Sequence, residues 1–406
     1  MNSLAKDSKI WQWAIFSFIL AGFTGFIYRL GFVTSLPFDL NLENVRHAHS
    51  HLMFFGWASL LPLYLIKVKL VPGYHAALGV KFMKGALWGV LVFGILSYPF
   101  FLIWGYRSVP VNGSFLPLST ILSGLVMVGW YVFMIGYIMT RFRKKDHTPN
   151  VWLEGALVML LISSLGAWGV GAVEMFNFGG PLLGKALTHF FLATFVEGWV
   201  VLVLLGLISE SLGMKENDYV ISPNILVGLI ACGAPLTFPY GISESMLDLN
   251  LSVTARIGGV LIVEGVLLFL YSIIKRKESI SKIWIWPLLL LGLKSLMQII
   301  AAVMPADLWL SEHGIRILYL HVLLLGGFTL GVTAYMTQEV DLKPKYFYVV
   351  LISVFVLLIS LLWMTSLWPL FLSGVWIYTA ITVIAMLPVI AMLWYWLGIR
   401  RAIQKL

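Results

Sequence analysis

Twelve stretches of about twenty apolar residues follow one another along the chain. They lie near residues 11–30, 48–66, 83–104, 116–140, 151–172, 184–208, 221–240, 253–274, 283–304, 314–336, 346–366 and 371–398. A helix of that length crosses the hydrocarbon core of a bilayer. Backbone groups in lipid must be bonded within the chain, so each run is expected to be helical. The composition fits no soluble alternative: 60% of the 406 residues are hydrophobic and 11% are charged, whereas a soluble domain keeps about a quarter charged. The expected fold class is all-α: a polytopic twelve-transmembrane-helix bundle, with residues 1–406 as one integral domain and the lipid bilayer as its partner. Lys6 and Lys9 precede the first run, as in a signal peptide, but no small-residue cleavage site follows. A retained first span is expected.

The loops alternate in charge. One set carries Lys67, Lys69, Lys81 and Lys84, then Arg141, Arg143, Lys144 and Lys145, then Lys275, Arg276, Lys277 and Lys282, then Lys343 and Lys345. The tail adds Arg400, Arg401 and Lys405. The other set is sparse, with Arg107 and Lys185 among its few basic residues. The positive-inside rule then places both termini in the cytoplasm, in a cell membrane such as the bacterial inner membrane. The +9 balance is spread over these loops, which is not a nucleic-acid footprint. The single cysteine, Cys232, excludes an internal disulfide and any multi-cysteine metal site.

The histidines are not scattered. His75 and His147 fall in cytoplasmic loops, where solvation accounts for them. His47, His49 and His51 open the second run, His189 opens the sixth, and His313 and His321 open the tenth. These runs all pass from outside to inside, so the six histidines lie near the outer surface. Spacing by four makes them equivalent positions if the helices form three four-helix arcs. Ionisable residues within a membrane are usually functional, and imidazole suits haem iron and copper. His47 and His51 are four apart and share a helix face, while His49 points away from them. Either His49 faces the bundle alone or the His47/His51 pair does. His47 and His313 sit at or before their helix starts.

The stretch His49-Ser50-His51-Leu52-Met53-Phe54-Phe55-Gly56 resembles the second helix of haem-copper oxidase subunit I proteins, where a His followed four residues later by Met binds a low-spin haem. It is also similar to the His-x-His segment of the NnrS-like membrane proteins linked to nitric oxide stress. The run from His321 through Gly326, Gly327 and Thr329 resembles a segment of the same group, and Val196-Glu197-Gly198 is similar to the Val-Glu-Gly of nitric oxide reductase. This resemblance implies a fold of the subunit I type and favours His49 as a ligand. It implies at most one bis-His haem b, from the second span and His321, and leaves His189 free to bind a second metal, such as copper, or a haem edge. The departures are specific. The seventh run has no histidine, and the residue four before Glu197 is Ala193 rather than His. A complete oxygen-reducing centre is therefore not expected.

Glu197, Glu264 and Lys294 fall inside spans, where an unpaired charge costs several kcal/mol. Glu264 and Lys294 lie on consecutive antiparallel runs and are expected to pair. Glu197, without an evident partner, is the candidate catalytic or proton-relay carboxylate. Arg46 and Arg316, near outer ends, could bind haem propionates by bidentate hydrogen bonds or snorkel to headgroups. Gly179-Gly180-Pro181 reads as a turn and Gly258-Gly259 as close packing. The functional expectation is a haem, or haem and copper, protein of redox or nitric oxide chemistry, oxidoreductase-like if it turns over and then needing an electron donor or partner subunit. Twelve spans with midplane charges also suit a secondary transporter. A metal-binding sensor or assembly factor without turnover is the third class.

Overall fold

The computed structural model describes residues 8–70, 78–143, 150–176, 178–242, 249–276 and 280–403. His75, His147, Lys144, Lys145 and Lys277 lie outside these residues. Among the described residues twelve helices are long and apolar enough to cross a membrane: α1 Lys9–Leu30, α2 Leu42–Lys69, α3 Leu78–Trp104, α4 Leu118–Phe142, α5 Val151–Val173, α6 Leu182–Ser211, α7 Pro223–Gly241, α8 Leu249–Lys275, α9 Lys282–Val303, α10 His313–Glu339, α11 Lys345–Leu362 and α12 Trp376–Ile403. The protein is thus an all-α, multi-pass membrane protein.

The ends follow local chemistry. The second helix starts at Leu42, earlier than hydropathy suggests, because Asn41 caps it. The Asn41 side-chain oxygen accepts from the backbone N–H of Glu43 at 2.8 Å and of Asn44 at 3.3 Å. The polar first turns stay helical because Asn44, Val45 and Ala48 are buried. This corrects the placement of His47, which stands in the second turn of α2 and not before it. His313 is the first residue of its helix, as expected. The last helix starts at Trp376, after a short 3₁₀ turn at Leu370–Leu372. Gly179 turns with φ +74° and Gly180 is the cap residue ahead of Pro181. Gly258 and Gly233 let α7 and α8 approach closely, since a Cβ on either would press against the other's carbonyl oxygen.

Three helices differ from the other nine. In α2, α6 and α10 the hydrogen-bond ladder widens to a π-helical stretch, at Met53–Ser59, Thr194–Val200 and Val322–Thr329. They are also the most buried spans. Of their most apolar windows 78%, 83% and 72% is buried, against 39–50% in the others. Each π stretch follows that helix's histidines along the chain, and such stretches are frequent at functional sites. The period of four read from the histidines therefore reappears in burial and in backbone form.

The contacts divide the chain into two compact units. The first comprises Met1–Thr148, Glu339–Ser360 and Phe371–Leu406, and so contains α1 to α4, α12 and most of α11. It also holds a hairpin, Val109–Val111 paired with Ser114–Leu116, closed by Asn112 and Gly113 at positive φ. The second comprises Pro149–Gln338 and Leu361–Leu370, and so contains α5 to α9 and nearly all of α10.

Candidate functional site

In the first unit the three histidines of α2 part company. His49 turns to α1, where its Nδ1 lies 2.7 Å from the Ala21 carbonyl oxygen. A carbonyl only accepts, so Nδ1 carries the proton and Nε2 keeps its lone pair. Gly25 makes room for this ring; a Cβ there would stand 3.0 Å from His49 Cε1. His49 is half-buried. Its arrangement is the one metal-binding histidines use, with the second ring nitrogen held by a backbone carbonyl.

His47 and His51 face the far end of α3 instead. The His51 ring stacks on Phe101 at 3.9 Å between centroids and 10° between planes. Its Nε2 is 2.7 Å from the Tyr106 hydroxyl, and its Nδ1 is buried without a hydrogen-bond partner among the described residues. His47 packs edge-on against Tyr106 at 4.7 Å and lies 3.7 Å from Glu43. Arg46 also bonds Glu43, at 3.2 Å. His49 and the His47/His51 pair thus serve two different surroundings.

In the second unit the centre of α6 carries Glu197 on its π stretch. Tyr319 of α10 donates its hydroxyl proton to Glu197 Oε1. Lys294 Nζ of α9 lies 2.5 Å from Glu197 Oε2, and donates to Gln298 Oε1 at 2.6 Å. Lys294, Gln298 and Glu197 are 0%, 4% and 5% exposed. The expected Glu264–Lys294 pair is therefore replaced by Glu197–Lys294. The reason is helical phase. Glu264 lies on the outward stripe of α8 with Val260 and Leu267, all exposed, whereas Gly258, Ile262 and Gly265 form its packed side. Glu197 has the partners its sequence neighbourhood did not reveal, and both its oxygens are engaged.

Near the N-terminal end of α6, in the same unit, His189 lies against the backbone of Gly241, where a Cβ would overlap the imidazole. Arg316 Nη2 lies 3.2 Å from His313 Nδ1, and Nη1 donates to the Tyr240 carbonyl at 3.4 Å. His321 Nδ1 lies 2.8 Å from the Ile317 carbonyl one turn back, so it has the same tautomer as His49. Among the described residues no three His, Cys, Asp or Glu side chains are grouped to hold one ion.

Tyr106, Tyr319 and Gln298 are members of these sites that sequence reasoning did not single out. Gln298 was within reach of it, standing one turn from a buried lysine. The tyrosines had no such signal, because their partners lie on other helices. No known protein-family model matches this chain, and none of the curated proteins does.

Proposed function

We propose that the chain is a haem b-binding membrane protein of the haem-copper oxidase subunit I type, acting in redox or nitric oxide chemistry. The observation that carries this reading is the His49 ring, fixed by the Ala21 carbonyl with its Nε2 left as the lone-pair nitrogen. An axial iron ligand needs that tautomer. In the second unit His321, held by the Ile317 carbonyl, is a candidate ligand of its own. His51 does not fit the same role, since its ring turns to Tyr106. Arg46 and Arg316 are the candidate propionate partners, each already engaged in part: Arg46 by Glu43, and Arg316 by His313 and the Tyr240 carbonyl. Bound haem supplies reversible one-electron chemistry and a site for diatomic ligands. The protein's own part is to hold the ring tautomer, to bury the spans that carry the histidines and to keep one carboxylate at membrane depth.

Glu197 is the proton-bearing candidate in this reading, not a metal ligand, since Tyr319 and Lys294 occupy its oxygens. The positive-inside pattern sets both termini in the cytoplasm and the histidines at the outer side, and turnover needs an electron donor or partner subunit. The histidine-free α7 argues against a complete oxygen-reducing centre. Extraction of the purified protein as the pyridine haemochromogen tests the reading: it expects haem b bound in simple ratio to the chain. Full-length, folded protein without iron or haem would overturn it. The second reading, a secondary transporter, is favoured by the Glu197–Lys294 pair near the middle of α6 and α9. Coupled uptake into vesicles by a haem-free protein would select it.

A further inference from the structure

The His47/His51 pair is left unused by the haem reading, and its surroundings are built rather than incidental. Two histidines at i and i+4 present their imidazoles on one helix face, the spacing by which a helix holds a metal ion. Tyr106 stands over both, with its oxygen 2.7 Å from His51 Nε2 and its ring 4.7 Å from that of His47. Its position is fixed by the turn that follows α3. Gly105 takes φ +60°, and a Cβ there would strike Asn44 Oδ1. Asn44 donates to the Ile103 carbonyl at 2.9 Å, and Ser119 donates to the Gly105 carbonyl at 2.6 Å. The turn is thus pinned twice just ahead of Tyr106. Phe101 stacks on the His51 ring and fixes its plane. His51 Nδ1 is buried with no hydrogen bond among the described residues, so this ring is not placed by ordinary satisfaction of its nitrogens. Tyr106 itself is 51% exposed, which gives an ion a way in.

We infer that His47, His51 and Tyr106 form a Cu(II) site, separate from His49. Two imidazole nitrogens and a phenolate oxygen make an N,O set suited to tetragonal Cu(II), the strongest-binding divalent ion of the first transition row. Glu43, 3.7 Å from His47, is near enough to neutralise charge. On binding, Tyr106 gives up its phenolic proton to solvent and the imidazoles bind neutral, with no change of oxidation state. This site goes beyond the haem reading and does not depend on it.

The test is titration of the full-length, detergent-purified protein with Cu(II), followed by electron paramagnetic resonance and metal analysis. One tightly held Cu(II) with two-nitrogen hyperfine structure is expected, together with a visible phenolate-to-copper band. His47→Ala and His51→Ala should each weaken binding by more than ~100-fold, and Tyr106→Phe should remove the visible band. Asn44→Ala, which frees the turn, should weaken binding about tenfold, as loss of an outer partner does. His51→Gln keeps a side chain of similar reach and serves as the variant that must fold, checked by gel filtration. Copper affinity unchanged in a folded His47→Ala/His51→Gln protein overturns the site. Absence of copper with haem intact also overturns it and leaves the haem reading standing. Copper bound here in a haem-free protein supports the site and removes the haem reading.

Discussion

The N-terminal end of α2 and the centre of α6 place polar groups in the same membrane by different means. At the end of α2 the imidazoles are neutral groups, half-buried, with one named partner each: the Ala21 carbonyl for His49 and the Tyr106 hydroxyl for His51. At the centre of α6 the group is a carboxylate 5% exposed, and it is held from two other helices at once, by Lys294 and Tyr319. The difference follows depth and charge. A neutral ring near the interface needs one hydrogen bond to be oriented and can keep a nitrogen for a ligand. A charge at mid-membrane depth must be compensated completely or it is not tolerated. The α2 end is therefore arranged to accept something, and the α6 centre is arranged to retain what it has.

This contrast sets the order of the mutational effects. Lys294→Met strands Glu197 in an apolar interior and should cost about 3–5 kcal/mol, the loss for one partner of a buried pair. Thermal unfolding in detergent measures it, and the double variant Glu197→Gln/Lys294→Met should recover much of the loss. If Lys294→Met is as stable as the parent, the pair is not the compensating contact. Gly241→Ala pushes a methyl into the His189 ring and should cost about 1–3 kcal/mol, the range for overpacking. Asn41→Ala removes the cap that starts α2 and should cost about 1 kcal/mol. A larger loss there would mean that the polar first turns depend on the cap more than on burial. Glu264→Leu should cost nothing and raise stability slightly, because that side chain faces outward on α8. A clear loss would show that Glu264 has a stabilising role after all.

How much was legible in the sequence depends on which force fixed each feature. The twelve helices were, because hydrophobicity alone marks a lipid-facing run. The start of α2 was not, since Glu43, Asn44, Arg46 and His47 are polar and only the Asn41 cap and burial of one face keep them helical. The separation of His49 from His47 and His51 followed from helical geometry, but which partner each would meet did not. The pairing of Lys294 was misread because adjacency in the chain was used where helical phase decides. Gly258, Gly259 and Gly265 already mark the packed side of α8, with Glu264 on the other. The π stretches carry no compositional signature, so the likeness of α2, α6 and α10 could be read from their histidines but not from their backbone. The Asn112-Gly113 hairpin did have a signal, the Asn-Gly pair between strand-like residues.

The central claim of the proposed function is that His49, not its neighbour His51, ligates haem. The most direct measurement is the visible absorption spectrum of the parent protein beside His49→Ala and His51→Ala, each purified in the same detergent. The account predicts a Soret band in the parent that is lost or strongly shifted in His49→Ala and retained in His51→Ala. A Soret band indifferent to His49, or a colourless parent, would contradict it.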